Sequence, residues 1–230
     1  HGGIDSGAVA SDGTVEKAIV LTFARTLRQA LEETGKVRVA MTRDDDRFVT
    51  LSDRVRFARE REAALFVSIH ADSLRGVTQD VRGATLYTLS ERASDREAEA
   101  LADRENRADL AAGVDLANET DEVADILVDL MRRETQMFSI QFARLAVREL
   151  GANVRLSRNP HRIGGFRVLR AQDVPSALLE LGFLSSREDV RALNSEEWRR
   201  AASDALVKAI VAFATRAATP SRATAGEPNR

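Results

Sequence analysis

The order of apolar and polar positions along the chain predicts helices and strands in alternation. Ile19, Val20, Phe23, Leu27 and Leu31 recur at helical spacing and predict a helix over about Thr14–Thr34, which Gly35 stops. Val37–Thr42 reads as a strand, and Leu51–Arg61 as a second helix with Thr50 or Ser52 near its start. Ala64–His70 is an almost unbroken apolar run, the mark of a strand buried on both faces. Gly83–Leu89 reads as another strand. From Glu91 to Leu150 the pattern turns helical and charged. Its half from Glu119 carries an apolar stripe through Val123, Ile126, Leu130, Met137, Phe142 and Leu145. Strand signals return at Phe166–Leu169 and Ser176–Leu181, ahead of an amphipathic helix over Ser195–Ala214. Ala217–Arg230 is rich in Ala, Thr and Pro and reads as a disordered tail.

Alternating strands and helices predict an α/β fold, with a mostly parallel sheet flanked by helices on both faces. The block 91–150 breaks the alternation and is expected to be a helical insertion. The expected organisation is one domain over 1–216, interrupted by that insertion, followed by the tail 217–230. Hydrophobic residues make up 43% of 230 positions, enough for a sizeable core. The chain has no cysteine, which excludes a disulfide scaffold, a thiolate metal site and a cysteine nucleophile. A net charge of −2 and the lack of a Lys/Arg tract argue against nucleic acid as a partner. No apolar run is long enough to span a bilayer. The sequence opens on His1 without an initiator Met and reads as a processed or truncated piece, with any export signal upstream.

Only three histidines are present: His1, His70 and His161. His70 closes the apolar run ALFVSIH, and Glu180 closes a second one, SALLE. In open α/β sheets, ligands bind at the carboxyl ends of the strands. A carboxylate buried there is costly unless it is paired or bound to a metal. Glu16 falls in the first turn of the first helix, and His1 in the loop before it. Two imidazoles and one carboxylate form a ligand set for catalytic zinc, which leaves one position open. Zinc acidifies a bound water, and a second carboxylate can then carry its proton to a leaving amine. That role falls to Glu180, and the chemistry implied is hydrolysis of an amide. Each residue also has a plainer explanation: a hydrogen-bonded strand-end imidazole at His70, helix-dipole complementation at Glu16, a buried salt bridge at Glu180, a loose terminus at His1. His161 follows Asn159-Pro160 in a loop and reads as a surface or substrate-contacting residue.

Four segments resemble motifs of the zinc-dependent N-acetylmuramoyl-L-alanine amidases of the AmiA/AmiB/AmiC type. They are HGGIDSGAV with Gly13 and Glu16-Lys17; Thr42-Arg43-Asp44-Asp45-Asp46 with Leu51 and Arg54; SIHAD at Ser68–Asp72; and Gly165–Leu169 with Pro175 and ELGFLSS at Glu180–Ser186. They occur in the family's order, and the likeness covers nearly the whole chain to about Ala214. The resemblance implies that His1, Glu16 and His70 bind one zinc ion and that Glu180 is catalytic. It implies cleavage of the amide between N-acetylmuramic acid and the L-alanine of the stem peptide in peptidoglycan, export to the periplasm, and a part in separating daughter cells. Departures exist. The family's apolar strand ahead of the first His has no counterpart in this sequence, so His1 is expected to be less firmly held. Leu181 and Ser186 stand where the family commonly has Thr and Asn.

The segment Glu91–Glu134 carries fourteen Asp/Glu against six Arg, which concentrates negative charge on a chain whose total is only −2. From charge alone, a solvated helical face is the favoured explanation. Resemblance to the AmiB/AmiC branch implies instead a helix that blocks the active site until an activator with a LytM-like domain displaces it. Arg104–Leu110 resembles the blocking part. Glu105 is the expected blocking carboxylate, with Asp103 and Asp109 as substitutes. Two other functions fit the same residues: a zinc peptidase of similar architecture, and a cell-wall binding module that has lost catalysis.

Overall fold

The computed structural model describes residues 1–73, 81–111, 113 and 126–217. The expected tail beyond residue 217 and the start of the expected long helix, 119–125, lie outside the described residues. The elements run in the order α1 (Glu16–Glu33), α2 (Leu51–Glu60), β1 (Phe66–His70), β2 (Ala84–Leu89), α3 (Arg96–Glu105), α4 (Ala108–Ala111), α5 (Ile126–Gly151), β3 (Leu156–Gly164), β4 (Ser176–Glu180), α6 (Arg187–Asn194) and α7 (Glu196–Ala217), with a 3-10 turn at Arg167–Leu169. Among the described residues the sheet has four strands in the order β1-β4-β2-β3. β1 pairs parallel with β4 and β2 with β3, while β2 and β4 are antiparallel. The fold is therefore α/β with a mixed, mostly parallel sheet.

Strand alternation divides the core into two. Ala177, Leu179 and Leu86 face one side, where they pack with Phe23 of α1, Phe142 and Ala146 of α5, and Leu206 and Phe213 of α7. Leu178 and Tyr87 face the other, against Leu51 of α2, Leu101 of α3 and Phe166 and Leu169 of the 3-10 turn. Both faces are thus covered, which is why β4 reads as a continuous apolar run rather than an alternating one. Each fully buried Leu or Phe contributes about 1.5–3 kcal/mol. Among the described residues, no helix is long and apolar enough to cross a membrane.

Three local expectations change. Val37–Thr42 forms no strand. Val37, Val39 and Met41 do alternate toward the interior, so the pattern is real, but among the described residues no strand pairs with them. A cavity of about 680 Å³ lies between this segment and β1, lined by Val37, Val39, Leu65, Val67 and Ile69 among others. Phe166–Leu169 forms a 3-10 turn rather than a strand, because Phe166, Val168 and Leu169 are all inserted into the second core. β3, LSRNPHRIG, carries no apolar run and so no strand signal in the sequence. It is an edge strand, so its polar residues and Pro160 are tolerated.

The described parts of 91–150 do two jobs. The half of α5 from Ser139 onward is packed under the sheet through Phe142, Ala143, Ala146 and Leu150. It serves as the crossover that joins β2 to its parallel neighbour β3. What exceeds an ordinary crossover is the segment with α3 and α4, which lies on the opposite face through Ala98, Leu101 and Ala102.

Candidate metal centre

His70 and Glu180 end neighbouring parallel strands and are direct partners in the register. Their side chains therefore leave the sheet on the same face. Glu16 arrives from the first turn of α1, whose N-cap position, Val15, offers no side-chain cap. Instead, Glu16 Oε1 accepts from Ala71 N at 2.9 Å and Oε2 from Ala8 N at 2.8 Å, which fixes the carboxylate at zero exposure. His1 reaches the group from the N-terminal loop. Gly7 lies against it at φ +65°, where a Cβ would sit 2.5 Å from Glu16 Oε2 and 2.7 Å from the His1 ring, so only glycine fits.

His1, Glu16 and His70 offer ligand atoms that all lie within 4.8 Å of one another. His1 Nε2 is 3.3 Å from Glu16 Oε2, and His70 Nδ1 is 3.3 Å from Glu16 Oε1. A fourth group, Glu105 at the end of α3, places Oε2 3.4 Å from His1 Nε2 and 3.1 Å from His70 Nδ1. Tetrahedral zinc with bonds of about 2.0–2.1 Å separates its ligands by roughly 3.3–3.4 Å. The two facing nitrogens, His1 Nε2 and His70 Nδ1, are buried without a hydrogen-bond partner. Orphaned imidazole nitrogens at this spacing fit a metal ion and do not fit a satisfied polar core.

The electrostatics agree. Burial by itself would lower both imidazole pKa values. For His1 the carboxylates of Glu16, Asp5 and Glu105 overcome this and hold it up at about 12. For His70, Glu105 and Glu16 do the same and hold it at about 10. The site therefore stabilises positive charge between the rings, which is the property a divalent cation uses. Glu105 is held well below the usual carboxylate range: burial opposes this, and His70 and His1 overcome it. Glu180 is pushed the other way, well above its ordinary value, first by burial and then by Asp72, Glu16 and Glu105, against His70. Its Oε2 accepts from Asp72 N at 3.0 Å, and its Oε1 is buried without a partner. The geometry thus gathers one cation site and one protonatable carboxyl beside it.

The remaining expected residues fall as follows. Asp103 is exposed, and Asp109, although buried, accepts from Leu51 N at 3.0 Å. His161 lies in β3 with Nε2 3.0 Å from Thr88 Oγ1, outside the group of three. Two further residues orient the imidazoles. Asp5 Oδ2 is 2.6 Å from His1 Nδ1, and Ser68 Oγ is 3.0 Å from His70 Nε2. Each holds the ring nitrogen that faces away from the carboxylates and so fixes the ring's orientation. Ser68 was findable, since it stands two residues before His70 on the same strand face. Asp72, raised to about 7 by burial and by Glu105 and Glu16 against Arg104, pairs with Arg104 at 2.5 Å, and no sequence spacing signals that contact.

The family model described as N-acetylmuramoyl-L-alanine amidase matches residues 1–212. AmiC of Escherichia coli is 35% identical over 223 residues, 96% of this chain and 53% of that protein. AmiA of Escherichia coli is 34% identical over 215 residues, 93% of this chain and 73% of that protein. The chain thus spans about half the length of the first and nearly three quarters of the second. Among solved structures, AmiC2 of Nostoc punctiforme superposes with a TM-score of 0.65 at 26% identity, over 94% of this chain and 93% of that one.

Proposed function

The chain belongs to the N-acetylmuramoyl-L-alanine amidase family, and from that premise we propose that it hydrolyses the amide between N-acetylmuramic acid and the L-alanine of the stem peptide in peptidoglycan. The observation that carries the reading is the convergence of His1, Glu16 and His70, with two orphaned imidazole nitrogens, beside a buried carboxyl at Glu180. In this reading His1, Glu16 and His70 hold zinc. Zinc supplies Lewis acidity there, acidifying a water and polarising the scissile carbonyl.

The protein's own part is proton handling and orientation. Glu180 takes a proton from the attacking water as the oxygen adds to the carbonyl carbon. It returns that proton to the amide nitrogen as the C–N bond breaks, so the amine leaves neutral. A carboxyl whose pKa is raised by burial is suited to both halves of that transfer. The Asp72 N–H holds one oxygen and leaves the other for the water and the amine.

Glu105, in the same reading, keeps the site closed. Its Oε2 lies against both imidazole nitrogens, where a water or substrate oxygen would stand. The segment 91–110 then acts as a lid within a catalytic domain over 1–216, opened by an activator with a LytM-like domain. Family resemblance supports work in the periplasm during daughter-cell separation.

Metal analysis combined with release of muramyl-linked peptides from purified peptidoglycan tests these roles. The expectation is one zinc per chain, lost in His70→Ala. Glu180→Ala keeps the metal and loses hydrolysis, and Glu105→Ala hydrolyses faster than the parent. A chain that binds no zinc, or a Glu180→Ala variant as active as the parent, overturns the assignment.

A further inference from the structure

Glu105 does not hold itself in place. The residues around it in α3 and α4 contact three separate elements that flank the metal centre. Arg104 donates to Ser73 O at 2.8 Å, just beyond β1. Asn106 makes a two-pronged contact with the end of β3 and the 3-10 turn: Nδ2 donates to Gly165 O at 2.9 Å, and Oδ1 accepts from Arg167 N at 2.7 Å. Asp109 Oδ1 accepts from Leu51 N, the first residue of α2, at 3.0 Å. Asp109 is 1% exposed, and as a carboxylate at a helix N-terminus it also faces the positive end of the α2 dipole.

We propose that Asn106 and Asp109 form a clasp that holds Glu105 against His1 and His70, so that opening of the site is governed by contacts outside the metal-ligand group. The proposal rests on the reading of Glu105 as the blocking carboxylate. Three features support it. The clasp partners are main-chain groups of fixed elements, so they set the position of residue 105 without depending on neighbouring side chains. Asn106 follows Glu105 directly, so a shift of one transmits to the other. The clasp bonds are also reversible, because water can take over both main-chain partners of Asn106 and the Leu51 N–H when the segment lifts. By contrast, Ala98 and Leu101, each at 0% exposure, anchor the N-terminal part of α3 in the core. Arg162 ties the same end through Asp95 at 3.0 Å and Glu97 at 2.6 Å. The segment is thus held firmly at one end and clasped at the other.

Each net hydrogen bond is worth roughly a 2- to 10-fold change in the closed-to-open ratio. Asn106→Asp removes the donor to Gly165 O and sets a carboxylate against that carbonyl, so it opens the clasp. Asp109→Ala removes the acceptor for Leu51 N, whereas Asp109→Asn retains one. The measurement is amide hydrogen exchange of the full chain by mass spectrometry, which needs neither metal nor turnover, with hydrolysis of purified peptidoglycan followed in parallel. The expected result is exchange about tenfold faster across residues 102–111 in Asn106→Asp and Asp109→Ala, with α1 and α7 unchanged and Asp109→Asn like the parent. Hydrolysis rises with exchange. Should Asn106→Asp fail to fold, Asn106→Ala removes both bonds without adding charge. Unchanged exchange over 102–111 in both opening variants, or Asp109→Asn matching Asp109→Ala, overturns the clasp. Faster exchange without faster hydrolysis, with Glu105→Ala also no faster than the parent, leaves the clasp standing and removes Glu105 as the block.

Discussion

Glu180 is fully buried at the end of a strand that is covered on both faces, with one oxygen bonded to Asp72 N and the other unpartnered. Its raised pKa converts this position into a stability statement. Below its ordinary value of 4.5, the group is protonated both folded and unfolded and has no effect. As pH rises past 4.5, the unfolded chain releases the proton while the folded chain retains it. Stability contributed by the retained proton is therefore lost with rising pH until the folded value is reached. Glutamine does not titrate. Glu180→Gln is expected to abolish hydrolysis while raising the melting temperature of the metal-free protein at pH 7, with little gain at pH 4. Equal gains at the two pH values would refute the account. Asp5 and Ser68 act on the imidazoles they orient. Asp5→Ala and Ser68→Ala should each weaken zinc binding by about 10- to 100-fold, with the larger loss at Asp5, whose bond is charge-assisted. Competition with a chelator of known affinity measures both.

At the scale of elements, β4 could be read because every one of its residues is buried, and β1 because it is also an apolar run although it lies at the sheet edge and is only partly buried. β3 could not, because its sequence is polar and partly exposed and it is held in the sheet by main-chain bonds that leave no mark on side-chain type. The segment 37–42 shows the opposite failure. It has the alternation of a strand and lacks the partner. The helix α3 joins the second core through Leu101, which packs with Tyr87, Phe166 and Leu178. Leu101→Ala removes a fully buried side chain and should destabilise this packing by about 2–5 kcal/mol. On the proposed lid reading the loss falls on a segment that opens separately from the sheet, and its signature is then faster trypsin cleavage at Arg104 and Arg107, with little change in the global melting temperature. A melting temperature that falls in step with cleavage would mean that α3 unfolds only with the whole domain.

For the whole molecule, the candidate metal centre brings together parts of the chain that are far apart in sequence: the N-terminal loop, the first turn of α1, the end of β1 and, through Glu105, the end of α3. A ligand that binds only this assembled form stabilises every element at once. At about 100 times its dissociation constant, zinc should add about 2.7 kcal/mol, which for a domain of this size raises the melting temperature by roughly 5–10 °C. Thermal melts with zinc and with excess chelator test this. No difference between the two would argue against a single metal-stabilised domain.

Sequence alone determined the fold class and the apolar strands, because burial restricts which side chains a position accepts, and motif resemblance singled out His1, Glu16, His70 and Glu180 as candidates, of which the first three meet in one group. It also pointed to Glu105. Tertiary structure decided what those residues are to one another. Parallel pairing in register puts Glu180 beside His70, and the route of the chain between β2 and β3 brings α3 over the metal centre. The contacts that hold Glu105 there go from Asn106 and Asp109 to main-chain groups. Every residue carries such groups, so only the folded path shows which ones meet.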